Sequence, residues 1–308
     1  MKIPIYVIGS SNTDMVVKAD KLPSPGETVL GGEFLMNPGG KGANQAVTAA
    51  RLGSHVTFVA KVGKDLFGKQ ALQQFQNENI DTEFISTDIH HPSGVALIGV
   101  DNKGQNNIIV APGANSHMDV RVVEQALSKI EDDAIILLQL EIPIDIVEFA
   151  IDFGYRKGLK VILNPAPVQK INPEILKQLF VITPNEFEAE MLTGIEVCSI
   201  ESAKKAAEVL YAMGITNVVI TLGSRGGYLH NHNTSKLIAA PMVTAIDTTA
   251  AGDCFNGALA VAISENLDLE PAVEFACKAA SISVTRMGAQ SSLPYRKEVN
   301  EIVLVPYK

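Results

Sequence analysis

Six short apolar runs recur along this chain, each separated from the next by a stretch with helical periodicity. They lie at 6–8, 56–59, 134–138, 161–163, 180–182 and 218–220 and consist mostly of β-branched and other aliphatic residues. Continuous apolar runs of this length suit central parallel strands covered on both faces. Between them, Val120, Val123, Leu127 and Ile130 share a helical face after Asp119. Ile146, Phe149, Ala150 and Phe153 form a second face, and Ile200, Ala203, Ala207 and Leu210 a third after Ser199. Asp119 and Ser199 are both suited to capping. The alternation predicts an α/β fold: a doubly wound, mostly parallel sheet flanked by helices, Rossmann-like, with ligand crevices at the carboxyl ends of its strands.

Two regions break the rhythm. Residues 14–39 show little helical period and carry Pro23, Pro25, Gly26, Gly31 and Gly32. Residues 94–110 read as a hairpin, with strands at 95–100 and 107–110 around a polar turn at 101–104. Strands inserted into an α/β chain predict a small β-sheet projecting from the main body, a lid or a dimer surface. A length of 308 residues admits one large domain or two, and neither an internal repeat nor a low-complexity tract divides the chain.

Composition narrows the partners. With 25 Lys+Arg against 34 Asp+Glu the net charge is −9, which argues against nucleic acid. An anionic ligand must then be held by local donors. Cys198, Cys254 and Cys277 are far apart and form no CxxC pair, so they read as reduced intracellular thiols packed as small apolar groups. The apolar run 3–8 stops at Gly9, too short for a signal core, and nothing approaches the ~18 apolar residues of a membrane helix. The expectation is a soluble, cytoplasmic protein with no membrane partner.

The strongest chemical signal is Asp247-Thr248-Thr249-Ala250-Ala251-Gly252-Asp253, which leads into an apolar helix from Cys254 onward. Small residues entering a helix leave backbone N–H groups and the positive dipole end open to an anion. A carboxylate beside such a site can take a proton from a hydroxyl that attacks the anion. The competing reading is that Asp253 or Asp247 merely caps the helix. Gly39-Gly40-Lys41-Gly42-Ala43-Asn44 fits neither a P-loop nor a dinucleotide fingerprint. It remains a tight glycine turn that can offer backbone N–H groups, Lys41 and Asn44 to a polar ligand, or else a helix entry with a solvated lysine.

Other candidates sit at strand ends. Asn12 and Asp14 alternate onto one face after the first strand, and Glu141 follows the third run. Asn185 and Glu188 lie one turn apart at a helix start, a spacing that equally fits a capping box. Thr221-Leu222-Gly223-Ser224-Arg225-Gly226 follows another strand and could be a plain turn. His230 and His232 lack a third ligand nearby, and no GxSxG, HExxH or Cys/His cluster is present.

In this order the motifs resemble the ribokinase family of carbohydrate kinases, the PfkB-type fold. The carriers are residues 9–14, 25–28, 39–46, 139–141, 164–167, 183–186, 220–226, 247–253 and 288–290. The resemblance spans essentially the whole chain and implies one domain, 1–308, with 14–39 and 94–110 as β-lid segments. It implies ATP-dependent phosphorylation of D-ribose at its 5-hydroxyl. Asp253 would be the general base, with the N–H groups of Ala250, Ala251 and Gly252 as the anion hole. Asn12, Asp14, Gly40, Lys41, Gly42, Ala43, Asn44 and Glu141 would hold the sugar. Asn185, Glu188, Thr221, Leu222, Gly223, Ser224, Arg225, Gly226, Gly252 and Cys277 would serve the nucleotide, with Mg²⁺ placed through the Asn185–Glu188 pattern. Asp247, Thr249, Ser283, Arg286, Gly288 and Ser292 align with the family's K⁺ site, and the lid implies a homodimer.

Cys254 stands where the family usually has Thr, which implies that activity is sensitive to oxidation. Deoxyribokinase is the nearest rival; Asn12 favours ribose, since deoxyribokinases resemble this chain with an apolar Met near that position. Other sugar or nucleoside kinases of the family are more distant, and a non-catalytic sugar sensor is the contrasting class. Intact Asp253, Gly252 and Lys41 speak against a sensor.

Overall fold

The computed structural model describes residues 3–302, so residues 1–2 and 303–308 of the expected domain lie outside the described range. The chain opens with β1 (Ile5–Ile8), β2 (Asn12–Lys18) and β3 (Glu33–Gly39), then α1 (Lys41–Arg51), β4 (Val56–Gly63) and α2 (Leu66–Asn77). Next come β5 (Ile85–Asp88), β6 (Gly94–Val100), β7 (Asn106–Ala111) and a 3-10 turn at Gly113–His117. The middle alternates: α3 (Val120–Ser128), β8 (Ile135–Leu138), α4 (Ile144–Arg156), β9 (Lys160–Leu163), α5 (Pro173–Leu176), β10 (Val181–Ile182), α6 (Glu186–Thr193), α7 (Ile200–Ala212) and β11 (Asn217–Thr221). The hairpin β12 (Gly227–Asn231) and β13 (Ser235–Ile238) precedes α8 (Ala251–Ser264), α9 (Leu269–Ser283) and α10 (Arg296–Glu301).

All six apolar runs enter one nine-stranded sheet of order β13-β12-β11-β10-β9-β8-β1-β4-β5. Its pairings are parallel except at the β11-β12-β13 edge. The chain extends this sheet on one side of β1 through β4 and β5, then returns to the other side with β8. That reversal opens a crevice at the carboxyl ends of β1 and β8. Side chains alternate across the sheet: Ile5 and Val7 pack with α1, α8 and α9, whereas Tyr6 and Ile8 pack with α3, α4 and α7. Asp119 and Ser199 cap α3 and α7 as expected. The buried face of α7 is Ala203, Ala206, Ala207 and Leu210; Ile200, in the first turn, stays exposed.

The second sheet has the order β3-β2-β6-β7. It is assembled from the two irregular regions, beginning at Asn12 and ending at Ala111. Asp14 pairs with Asn37 and Ala96, which places these residues on one face with Asn12. Met15, Met36, Leu97 and Ile109 share the opposite face.

Helix α8 is buried from Asp253 to Ser264 and lies among the sheet, α1 and α9. Its approach to α1 depends on Gly257, where an added Cβ would fall 2.6 Å from Thr48 Cβ and 2.7 Å from the Gln45 carbonyl oxygen. The two helices can close only because one contact residue has no side chain. Gly257→Ala should therefore push α1 and α8 apart, costing about 2 kcal/mol. A fall in Tm, read by calorimetry and accompanied by a larger fractional loss of activity than of folded protein, is the expected outcome.

Candidate active site

Two helices, α1 and α8, begin at the crevice, and neither has a side-chain cap. Their N-cap residues, Gly40 (φ 91°) and Ala250 (φ 60°), both lie in the left-handed region. In contrast, α2, α3, α6 and α7 are closed by Asp65, Asp119, Asn185 and Ser199. A left-handed alanine is disfavoured, so the turn into α8 carries backbone strain.

The amides of α1 are spoken for. Lys41 N–H donates to Glu141 Oε2 (3.1 Å), Gly42 N–H to Ser10 Oγ (3.4 Å) and Ala43 N–H to the Ser10 carbonyl (2.9 Å). Ser10 Oγ in turn donates to Glu141 at 2.6 Å. The Gly42 and Ala43 amides, expected at the sugar, are bonded within the protein in this conformation, where they seat α1 against the end of β1. A Cβ on Gly42 would fall 2.6 Å from Ser10 N, and one on Gly40 2.7 Å from Asn12 N. These glycines permit close backbone approach.

The start of α8 is different. Ala251 N–H donates to the Thr248 carbonyl at 3.2 Å, so it is not free in this conformation. Ala250 and Gly252 have amides without a partner among the described residues. Open space lies where a Gly252 Cβ would be. These features make an anion site at the positive end of a long helix.

Asp253 is buried (6% exposed) in the first turn, and its carboxylate does not cap α8. Asn44 Nδ2 donates to Oδ2 (2.9 Å) and Gln45 Nε2 to Oδ1 (3.0 Å). Each oxygen keeps a further lone pair for a substrate proton. Gln45 also donates to Asn164 Oδ1 and accepts from Gln139 Nε2. Asn164 donates to the Thr183 carbonyl, Thr183 Oγ1 to Asn256 Oδ1, and Asn256 Nδ2 to the Gly252 carbonyl. This buried chain, missing from the sequence-based site, fixes both the acid and the amide turn. Its signal was present: Gln45 among alanines and valines, Gln139 between leucines and Asn256 in an apolar helix must each find a partner when buried.

Asp14, Glu141, Glu188 and Asp253 all act electrostatically on Lys41. Burial disfavours the lysine's charge, but the four acids outweigh it and hold Lys41 above its ordinary pKa. For Asp14, burial, then Glu141 and Asp253, push the carboxyl up to about 7. Burial also raises Glu188, opposed by the Asn185 N–H and Lys41. The unliganded site is an acid-rich cluster around one lysine.

A cavity of about 520 Å³ opens beside it, lined by Asn185, Thr221, Gly223, Ser224, Gly226, Gly252 and Cys277 with apolar neighbours from residues 240–245. A smaller space of about 230 Å³ joins it to Lys41, Glu188 and Asp253 and shares Asn185, Thr221 and Gly252. Two expected nucleotide residues are placed elsewhere. Leu222 is buried in the core, and Arg225 donates to Glu186 Oε1 at 2.5 Å and to the Cys198 carbonyl. Asn185 and Glu188 form the capping box of α6 while lining the smaller space. Cys254 and Cys277 are buried, and burial pushes both thiols up to about 12. A neutral, enclosed thiol reacts poorly, which corrects the expected oxidation sensitivity of Cys254.

The residues expected around K⁺ converge in two loops. Asp247 accepts from Thr249 N–H, Thr249 Oγ1 and Gly288 N–H, while its own N–H meets the Val284 carbonyl. Burial would raise its pKa, but the Thr249 hydroxyl and the Gly288 and Thr249 amides keep it below the ordinary value. The Ser283 and Ser292 hydroxyls turn inward to Ala280 and Ala289, and Arg286 pairs with Glu298. A carboxylate held below its ordinary pKa, beside backbone carbonyls, is a donor set that fits a monovalent cation.

A sign follows for Asp14. Its carboxyl is raised above the unfolded value, so between about pH 4 and pH 7 the native state retains a proton that the unfolded state has lost. Stability then falls as pH rises through that window. Asp14→Asn should be more stable than the parent by about 4 kcal/mol at pH 8 and equal to it below pH 4. Urea unfolding at the two pH values checks this.

The chain is 45% identical over 303 residues to a ribokinase of Haemophilus influenzae, covering 98% of this chain and 99% of the relative. It is 35% identical over 298 residues to a deoxyribokinase of Salmonella typhi, covering 96% and 97%. The structure of Arabidopsis thaliana ribokinase complexed with ribose and ATP superposes with a TM-score of 0.87 at 32% identity, covering 98% of both chains. The model of the pfkB family of carbohydrate kinases matches residues 3–296. A crevice that sets a buried, amide-held acid beside an open helix start is therefore met here in a chain that belongs to the pfkB family of carbohydrate kinases.

Proposed function

We propose that this chain phosphorylates D-ribose at its 5-hydroxyl with ATP, giving ribose 5-phosphate and ADP. One observation carries the reading: the Asp253 carboxylate, gripped by Asn44 and Gln45, faces the same space as the open amide of Gly252. In this reading Asp253 accepts the proton of the 5-hydroxyl as that oxygen attacks the γ-phosphorus. The bond from phosphorus to the β–γ bridging oxygen breaks, and ADP leaves. Phosphoryl transfer of this kind needs mainly positioning and charge stabilisation. The amides of Ala250 and Gly252, with Lys41, receive the charge of the migrating phosphoryl group.

Asn12, Asp14, Asn44 and Glu141 hold the sugar, with Asp14 reaching it from the lid sheet. The large cavity accepts the nucleotide. Mg²⁺ supplies charge neutralisation for the phosphates; it typically takes few protein oxygens, and Glu188 at the junction suits that role. Asp247 and the neighbouring backbone carbonyls would hold K⁺, whose charge would steady the loop leading into α8. A kinase that draws on ATP works where ATP is made available, which supports a cytoplasmic location. Phe34, Leu97, Ile108 and Ile109 leave the lid sheet with exposed apolar surface, which supports a homodimer formed through the lid.

In a coupled ADP assay, ribose should be used in preference to 2-deoxyribose; equal or better use of 2-deoxyribose would assign the chain to the rival activity. Asp253→Ala should lower turnover by at least ~10³-fold while calorimetric ribose binding largely survives. Retained turnover would give the proton to another group. Gly252→Ala meets no steric obstacle in the folded chain, so Tm should hold while kcat falls ~100-fold, because the added methyl occupies phosphate space.

A further inference from the structure

Asn12 is the first residue of the lid sheet, and its amide could turn either face toward a sugar. Which face it turns is decided elsewhere. Asn115, in the 3-10 turn that follows the last lid strand, is 1% exposed and makes three bonds to the start of β2. Ser11 N–H donates to Asn115 Oδ1 at 2.9 Å. A backbone N–H can only donate, so this bond fixes which end of the Asn115 amide is oxygen. Asn115 Nδ2 then donates to the Ser11 carbonyl (3.1 Å) and to Asn12 Oδ1 (2.8 Å). The carbonyl end of Asn12 is consumed by that last bond. Its Nδ2 has no partner among the described residues.

The arrangement is packed as well as bonded. A Cβ on Gly94 would collide with Asn12 Oδ1 and Asn115 Nδ2, so the two amides meet where β6 has no side chain. The turn itself is anchored to the body. Ala114 N–H donates to the Pro92 carbonyl at 2.8 Å, and Lys61 Nζ, on β4, donates to the His117 carbonyl at 2.8 Å.

We infer that Asn115 is a positioning residue for sugar discrimination: it locks the Asn12 amide so that an N–H, never a carbonyl, is offered to the sugar hydroxyl. This rests on the ribose-kinase reading above. Asn115 does not touch the sugar. A site built to bond a hydroxyl rejects the analogue that lacks it because the unpaired group is left buried. The same site with a freely turning amide rejects it far less.

The test is the ratio of kcat/KM for ribose to kcat/KM for 2-deoxyribose, measured in Asn115→Ala, Asn115→Asp, Asn12→Ala and the Asn12→Ala/Asn115→Ala double variant. Asn115→Asp keeps the acceptor for Ser11 N–H but loses the donor to Asn12, so it serves if the alanine variant folds poorly. Each Asn115 variant should lower the ratio ~10-fold or more with the KM for ATP unchanged. The double variant should have the same ratio as Asn12→Ala alone, since Asn115 acts only through Asn12. A ratio within twofold of the parent in both Asn115 variants overturns the inference, as does a double variant whose loss is the product of the single losses. A role confined to stapling the chain would lower Tm and slow both sugars equally. A parent enzyme that does not prefer ribose would instead defeat the underlying reading, an outcome seen before any variant is made.

Discussion

Everything at the site depends on two side-chain amides reaching one carboxylate across the α1–α8 crossing. Asn44 and Gln45 leave α1 one residue apart, yet each finds a different oxygen of Asp253. They can do so because Gly257 lets α8 settle directly on Thr48 and the Gln45 backbone. The acid is thereby held without a cationic partner at hydrogen-bond distance. Gln139, Asn164, Thr183 and Asn256 extend the same network to the carbonyl of Gly252. A polar network running through a small-residue core, with only Asn44 Oδ1 and Gln139 Oε1 of its named members left unbonded, favours one geometry, and that geometry contains both the proposed proton acceptor and the amide turn.

Charge is arranged against expectation for a protein that receives a polyphosphate. Four carboxylates surround Lys41, and burial works against its charge. The field of those acids holds the lysine above its ordinary pKa, while burial, then Glu141 and Asp253, lift Asp14 to about 7. Local donors, not the net charge of −9, must therefore receive the phosphate. The open end of α8 and the cations proposed at Glu188 and Asp247 answer that need from the body side. Asp14 and Asn12 answer the sugar from the lid side. In the proposed reading the sugar therefore bridges the two sheets.

Much of this was legible in the sequence because it follows from period and turn chemistry. The six apolar runs became strands of the large sheet, and the two arrhythmic regions became the small one. Asp253, Lys41 and Glu141 meet although far apart in the chain, because strand ends and helix starts converge at a switch point. Contacts set by tertiary approach were not legible. The amides of Gly42 and Ala43 looked free in a glycine turn, but Ser10, one strand away, had already taken them. Leu222 and Arg225 belong to a motif whose other members line the cavity, yet the 3-10 turn at 223–225 sends one inward and pairs the other with Glu186. Cys254 looked vulnerable beside Asp253 and proved to be fully buried in the first turns of α8. Asn115 carried no motif, and only its three bonds reveal it.

The left-handed alanine at the entrance to α8 has a consequence for anyone selecting hardier forms of this enzyme. At α2, α6 and α7 the helix start is sealed by Asp, Asn or Ser, and a sealed start is the sturdier one. A screen that rewards heat tolerance alone would favour Gly, Asn or Asp at position 250: all three relieve the backbone, and Asn or Asp also brings an acceptor to the open amides. Survivors carrying Asn or Asp would be robust and catalytically silent, so the weakest-looking turn in the fold is the one that breeding for toughness must leave alone.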